Sequence, residues 1–274
     1  MALRRELRAE GIRRLAAAGI EVPASECDLL LSMALGGVDS AQLVLIHELD
    51  EEQTECFRGL LARRENREPY QHITGQAWFR YLVVGVGPGV FVPRPETELL
   101  AGWAVEQAEQ LEDPVVVDLC TGSGVIALSV FDEVPNVRIH AVELDETAYG
   151  YARRNMTGTG IDLRHGDMAT AFDDLAGQVD VVVCNPPYIP LDAWESVAPE
   201  ARDHDPHLAL FSGDDGLDAM RVLERRAALL LKPGGVVGAE HADAQGESAP
   251  AVFRDSGRWT EVVDHRDLDG RQVS

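Results

Sequence analysis

The run Val115-Val116-Val117-Asp118-Leu119-Cys120-Thr121-Gly122-Ser123-Gly124 decides the fold of this chain. An apolar strand without polar alternation runs straight into a turn of small residues, and a helix-forming stretch, 125–131, follows it. Buried strand, tight turn and helix in that order form the opening unit of a doubly wound sheet. The turn lets backbone approach a ligand at the strand's carboxyl end. Taken alone, such a turn is weak evidence, since it can also be only a tight connection. It lacks the third glycine of G-x-G-x-x-G, and no Gly-Lys-Ser/Thr follows, so neither a dinucleotide pyrophosphate nor a P-loop phosphate is favoured.

Outward from this unit, strands and helices alternate. The pattern predicts helix 96–111, strand 115–119, helix 125–131, strand 137–142, helix 146–155 and strands 161–164 and 179–184. Helix 216–231, strand 235–240, helix 245–253 and strand 259–263 complete it. Repeated βα units imply a mostly parallel sheet with helices on both faces. Before them, residues 76–92 read as a β-hairpin linker, with β-branched and aromatic residues broken by Gly85, Gly87, Pro88 and Gly89. Residues 1–75 read as a small helical bundle. Gly19 stops its first helix, Ser25 with Asp28 suggests a capping box for the second, a third follows Asp39-Ser40 and a fourth runs from about 50 to 64.

With 45% hydrophobic and 26% charged residues, the 274-residue chain has globular rather than disordered composition. Lys+Arg is 24 against 47 Asp+Glu, a net charge of −23, which disfavours bulk nucleic-acid binding. Cys27, Cys56, Cys120 and Cys184 form no C-x-x-C pair, so reduced thiols, a cytoplasmic location and no zinc site are expected. No apolar run approaches the ~20 residues of a membrane span.

Three further strand ends carry chemistry. Glu143 closes the strand after the glycine turn, where a carboxylate can accept both hydroxyls of a ribose; the alternative is a solvated acid. Asp167-Met168 follows the next strand and can meet an adenine amino group and ring face, or serve only as a turn with a core Met. Asn185-Pro186-Pro187-Tyr188 follows the fourth. Two prolines stiffen the backbone there and remove two donors, leaving fixed carbonyl acceptors, while Asn185 adds a side-chain acceptor and Tyr188 a flat wall. The set suits a planar NH2 group.

These segments resemble S-adenosylmethionine-dependent methyltransferases that act on planar amino groups. Phe91-Val92-Pro93-Arg94-Pro95-Glu96-Thr97-Glu98, Glu240-His241 and the helical N-terminal part make the chain similar to the bacterial release factor glutamine methyltransferases over nearly its whole length. The resemblance implies a seven-stranded, Rossmann-like class I fold with a helical docking domain at 1–75, the linker at 76–92 and a catalytic domain at 93–274. It implies methylation of the amide nitrogen (N5) of the glutamine in the Gly-Gly-Gln motif of class 1 peptide chain release factors, in support of translation termination. S-adenosyl-L-methionine would be the donor and S-adenosyl-L-homocysteine the product. Carried over by position, Cys120, Thr121, Gly122, Ser123 and Gly124 would hold the methionine part of the donor, Glu143 its ribose and Asp167 with Met168 its adenine. Asn185 would touch both donor and substrate. Pro186, Pro187, Tyr188 and Arg94 would line the substrate side, with Asn185, Pro186 and Tyr188 carrying catalysis.

The sequence departs from the family at Cys120, where glycine is common, and at Met168, where an aromatic is frequent. It ends at Arg271-Gln272-Val273-Ser274, about where the family's last strand is expected to begin. His204, His207 and His241 are not needed as bases, Asp203 and Asp205 read as a solvated loop, and a monomer without metal is expected. The competing readings are an adenine-N6 DNA or RNA methyltransferase, disfavoured by a single lysine, Lys232, and a binding module that has lost catalysis.

Overall fold

The computed structural model describes residues 1–266 and 272–273. The chain divides into two compact units: Met1–Gly75 together with Ala198–His204, and Gln76–Val197 together with the chain from Asp205 onward.

The first unit packs helices Arg4–Ala17, Pro23–Ala34, Ser40–Leu45, Glu51–Glu65 and Tyr70–Thr74 around Leu7, Leu15, Leu30, Leu31, Phe57 and Leu61. Two helix starts follow from reciprocal capping, Asp39 with Gln42 and Asp50 with Gln53, which satisfies otherwise orphaned backbone N–H groups. The expected box at Ser25 and Asp28 does not form. Pro23 sets the helical φ at the first turn instead, and Asp28 is drawn off to the Arg8 guanidinium at 2.6 Å. Buried Arg64 pairs with both Glu26 and Glu200, and Arg67 reaches Glu200 at 2.6 Å, which ties the single-turn helix Pro199–His204 into this unit.

The second unit opens with the antiparallel hairpin Gln76–Phe79 and Leu82–Gly85. Its main sheet has five described strands, all parallel, in the spatial order Asp162–His165, Arg138–Glu143, Val115–Leu119, Val179–Cys184, Leu231–Ala239. Chain order therefore reverses between Val115–Leu119 and Val179–Cys184. At such a switch point the connections leave in opposite directions and open a crevice beyond the carboxyl ends. The near-continuous valines are explained by burial on both faces. Val116, Val181 and Val183 pack under helices Thr97–Glu109 and Val125–Glu133, whereas Val117, Leu119 and Val182 pack against Asp218–Leu230.

Two expectations are corrected. No strand forms at 259–263; Trp259 instead donates its indole N–H to buried Glu224 at 2.8 Å and packs edge-on to Phe253. The final strands form a separate two-residue antiparallel ladder, His265–Arg266 with Gln272–Val273, so the described sheet has five strands rather than seven. The expected start of a last strand at Arg271 and the terminal Ser274 lie outside the described residues. Among the described residues, no helix is long and apolar enough to cross a membrane.

Candidate active site

Both signal segments begin where neighbouring strands end. Leu119 and Cys184 are register partners in the two central parallel strands, so the turn at Cys120 and the loop at Asn185 leave the sheet side by side. One cavity of the second unit is lined by Cys120, Thr121, Gly122 and Ser123 from the first, by Asn185, Pro187 and Tyr188 from the second, and by Glu143, Asp167 and Met168 from the outer strand ends.

The turn owes its shape to glycine. Gly122 sits at φ +60° and Gly124 at φ +92°, and a Cβ on Gly122 would meet no atom within 4 Å, because its backbone faces open space. Cys120 adopts φ 62° without being glycine, a local strain, and its sulfur lies 3.5 Å from that of Met168. Asp118 lies fully buried beneath the turn. Its Oδ2 accepts from the Thr121 hydroxyl at 2.6 Å and the Ala127 N–H at 3.2 Å, while Oδ1 has no hydrogen-bond partner among the described residues. Burial pushes this carboxyl up to about 7. Asn155, which sequence reasoning missed, donates to the Ser123 carbonyl at 2.9 Å and exchanges hydrogen bonds with Gly85, fastening turn to hairpin.

Glu143 is held by the N–H groups of Gly122 at 2.8 Å and Asp145 at 2.9 Å, one on each carboxylate oxygen. Burial raises its pKa against those two bonds. Asp167 accepts from the Ala169 N–H at 2.8 Å.

At the Asn185 loop, the Asn185 amide group donates to Thr97 Oγ1 at 3.1 Å and Glu240 Oε2 at 3.0 Å. The Tyr188 hydroxyl donates to Glu240 Oε1 at 3.1 Å, and its ionisation is pushed well up by burial. Glu240 is itself 5% exposed and its pKa is raised by burial, opposed by these donors. The partnership of Thr97 and Glu240 with Asn185 is not legible from spacing, since 88 and 55 residues separate them from it. The signals available are that both residues lie in the segments that carry the family resemblance, and that Glu240 follows the fifth sheet strand, at the same end as the other site residues.

Three expected site residues are not cavity-lining: Gly124, Pro186 and Arg94. Gly124 turns the chain into its helix, where an added Cβ would lie 2.7 Å from Met156 Cε. Pro186 is buried. Arg94 pairs with buried Asp205 at 2.7 Å and lies over the Phe91 ring, so Asp205 is not the solvated loop residue expected. Pro93 and Thr97 do line the cavity, as do Pro206 and, with no sequence signal to mark them, Leu208, Ala209 and Leu210. His241 is buried, with Nδ1 2.8 Å from the Ala242 carbonyl, and His207 packs against Trp194 and Phe211; neither reaches the cavity.

A family model described as "PrmC N-terminal domain" matches residues 6–75, and one described as "Methyltransferase small domain" matches 96–198. The chain is 55% identical to the release factor glutamine methyltransferase of Streptomyces coelicolor, covering 96% of this chain and 93% of that one. It is 44% identical to the enzyme of that name from Mycolicibacterium smegmatis, over 94% and 91% of the two chains. A 4-amino-L-phenylalanine/4-methylamino-L-phenylalanine methyltransferase of Streptomyces pristinaespiralis is 46% identical, over 74% of this chain and 71% of its own.

Proposed function

This chain belongs to the release factor glutamine methyltransferase family, and from that premise we propose that it methylates the side-chain amide nitrogen of the Gly-Gly-Gln glutamine in class 1 release factors. The observation that carries the reading is the single cavity shared by the Asn185 loop and the Cys120–Gly124 turn.

The residues present fit S-adenosylmethionine. Gly122 turns bare backbone to the cavity, Glu143 presents a fixed carboxylate suited to a ribose diol, and Asp167 and Met168 stand where an adenine would lie. Cys120, Thr121 and Ser123 would hold the methionine portion. Carboxyl groups of Glu143 and Glu240 stand at this end of the sheet, which favours a cationic donor. When bound, the donor supplies a methyl already activated on a sulfonium.

The protein's task is then alignment of a poor nucleophile. An amide nitrogen shares its lone pair with the carbonyl. Asn185 Oδ1 and the Pro186 carbonyl accept its two N–H groups, fix the nitrogen's direction and favour the pyramidal form. Tyr188 and Pro187 pack beside the amide plane and exclude water. The nitrogen gains one methyl and loses one proton to solvent, leaving S-adenosylhomocysteine. Once methylated, the nitrogen is acidic enough that no protein base is required, in keeping with histidines that stay outside the cavity.

The match of residues 6–75 to the PrmC N-terminal domain supports a release factor over a small arylamine as substrate. The excess of 47 acidic over 24 basic side chains supports a partner other than nucleic acid. The enzyme is taken to act as a cytoplasmic monomer. Labelled methyl transfer to a class 1 release factor, to 4-amino-L-phenylalanine and to an adenine-containing oligonucleotide, side by side, tests the reading. Transfer to the release factor alone is expected; transfer only to either of the others overturns it.

A further inference from the structure

We propose, on the basis of that amide-methylating reading, that Glu240 with Thr97 is a positioning pair that decides which end of the Asn185 amide faces the substrate. An asparagine amide has two flips of nearly equal shape, one offering an oxygen to the cavity and the other an NH2. Only the first can accept a substrate N–H.

The surroundings of Asn185 Nδ2 settle the flip. Glu240 Oε2, 3.0 Å away, is a carboxylate oxygen and can only accept. Thr97 Oγ1, 3.1 Å away, is a hydroxyl whose single hydrogen is already given to Glu240 Oε2 at 2.7 Å, so toward Asn185 it too offers only lone pairs. The NH2 end is therefore held toward these two acceptors, and Oδ1 is left for the cavity. The reverse flip would press Oδ1 against two acceptors in a site where Thr97 is 2% and Glu240 5% exposed, with water too scarce to screen the repulsion. The Glu240 backbone is fixed as well, since its N–H continues the strand ladder to the Cys184 carbonyl at 3.1 Å.

The same carboxylate receives the Tyr188 hydroxyl on Oε1, so one buried group sets both the acceptor and the aromatic wall of the substrate side. Its facing groups are three neutral donors on three different segments, Thr97, Asn185 and Tyr188; the nearby charge of Glu96 is of like sign. Thr97 and Asn185 share one acceptor oxygen, which a leucine cannot provide and a glutamine oxygen can; the glutamine NH2 would then face the Tyr188 hydroxyl, which can accept as well as donate.

The test is steady-state kinetics on release factor with Glu240→Leu, Glu240→Gln, Asn185→Ala and the double variant Asn185→Ala/Glu240→Leu, with calorimetric titration of S-adenosylmethionine. Glu240→Leu is expected to lose about 100-fold in kcat, with KM for release factor and donor affinity changed by less than about threefold, and Glu240→Gln to recover most of that loss. Because Glu240 acts on the acceptor through Asn185, the double variant should fall far short of the product of the two single losses, with only the Tyr188 share lost beyond Asn185→Ala alone. Multiplicative losses in the double variant, or an Glu240→Leu enzyme with near-normal kcat, overturn the proposal while leaving the methylation reading intact. Should Glu240→Leu fail to fold, Glu240→Gln decides: retention of a tenth or more of kcat supports the proposal, and a loss as deep as that of Asn185→Ala overturns it. Wild-type enzyme that leaves release factor unmethylated overturns the underlying reading, and the proposal with it.

Discussion

Replacing Gly216 with alanine should damage the substrate loop from behind. Gly216 precedes helix Asp218–Leu230 at φ +75°, and an added Cβ would lie 2.3 Å from the Tyr188 carbonyl oxygen, 2.7 Å from Gln245 Nε2 and 3.0 Å from Pro190 Cδ. The first of these is backbone on a proline-stiffened loop, so it cannot swing aside as a side chain would. The second is the group that donates to Tyr188's carbonyl at 3.0 Å. A left-handed conformation costs an alanine about 1–2 kcal/mol and overpacking about 1–3 kcal/mol, so a total near 2–5 kcal/mol is expected. Gly158→Ala is the control: it sits at φ +86° with nothing within 4 Å, and should carry the conformational cost alone. Urea unfolding separates the two. Gly216→Ala should also lower kcat roughly tenfold or more as the Asn185 loop shifts, with little change in donor affinity, because the glycine turn hangs on the neighbouring strand. If Gly216→Ala is no less stable than Gly158→Ala and turns over normally, the loop is not seated as described.

Asn185→Ala should reduce kcat by about 10²–10³, the range for removing one preorganised hydrogen-bonding group, while titration shows the donor still binding; near-normal turnover would remove Asn185 from its role. Glu143→Ala takes away the acceptor of the Gly122 and Asp145 N–H groups as well as the ribose partner. It should weaken donor binding by roughly 10–100-fold in calorimetry, and unchanged affinity would place the donor elsewhere. For Asp118, the folded pKa of about 7 lies above its ordinary 3.8, so the folded state keeps a proton that the unfolded chain gives up. Its contribution to stability is full below about pH 4 and is lost as pH rises to about 7, at most roughly 4 kcal/mol. Asp118→Asn should flatten that part of the stability curve, measured by urea midpoints from about pH 5 to 8. An identical slope in the variant would contradict the assignment.

The central sheet is legible because its strands are buried on both faces. Apart from Asp118 and Asp180, Val115 to Leu119 and Val179 to Cys184 are apolar without alternation, as interior strands are, and the small residues at 120–124 mark where one ends. Strand order is not written locally, yet it places the Asn185 loop beside the glycine turn. That adjacency arises from the reversal between the two central strands, a property of how crossovers wind. Thr97 and Glu240 illustrate the limit: each lies in a segment that carries the family resemblance, but only the folded sheet reveals that one carboxylate serves three distant donors. Arg94 shows the converse, a motif residue whose charge is answered by Asp205 behind the cavity wall. The strand expected at 259–263 failed for a local reason, since Trp259 is committed to Glu224 through its indole N–H and leaves the alternating pattern without a partner strand.

Tandem mass spectrometry of a purified class 1 release factor, after incubation with the enzyme and an isotopically labelled S-adenosylmethionine, tests the central claim most directly. One labelled methyl on the side-chain nitrogen of the Gly-Gly-Gln glutamine, absent when Asn185→Ala enzyme is used, is the result the shared cavity predicts. A label on another residue, or one that persists undiminished with the Asn185→Ala enzyme, would contradict it.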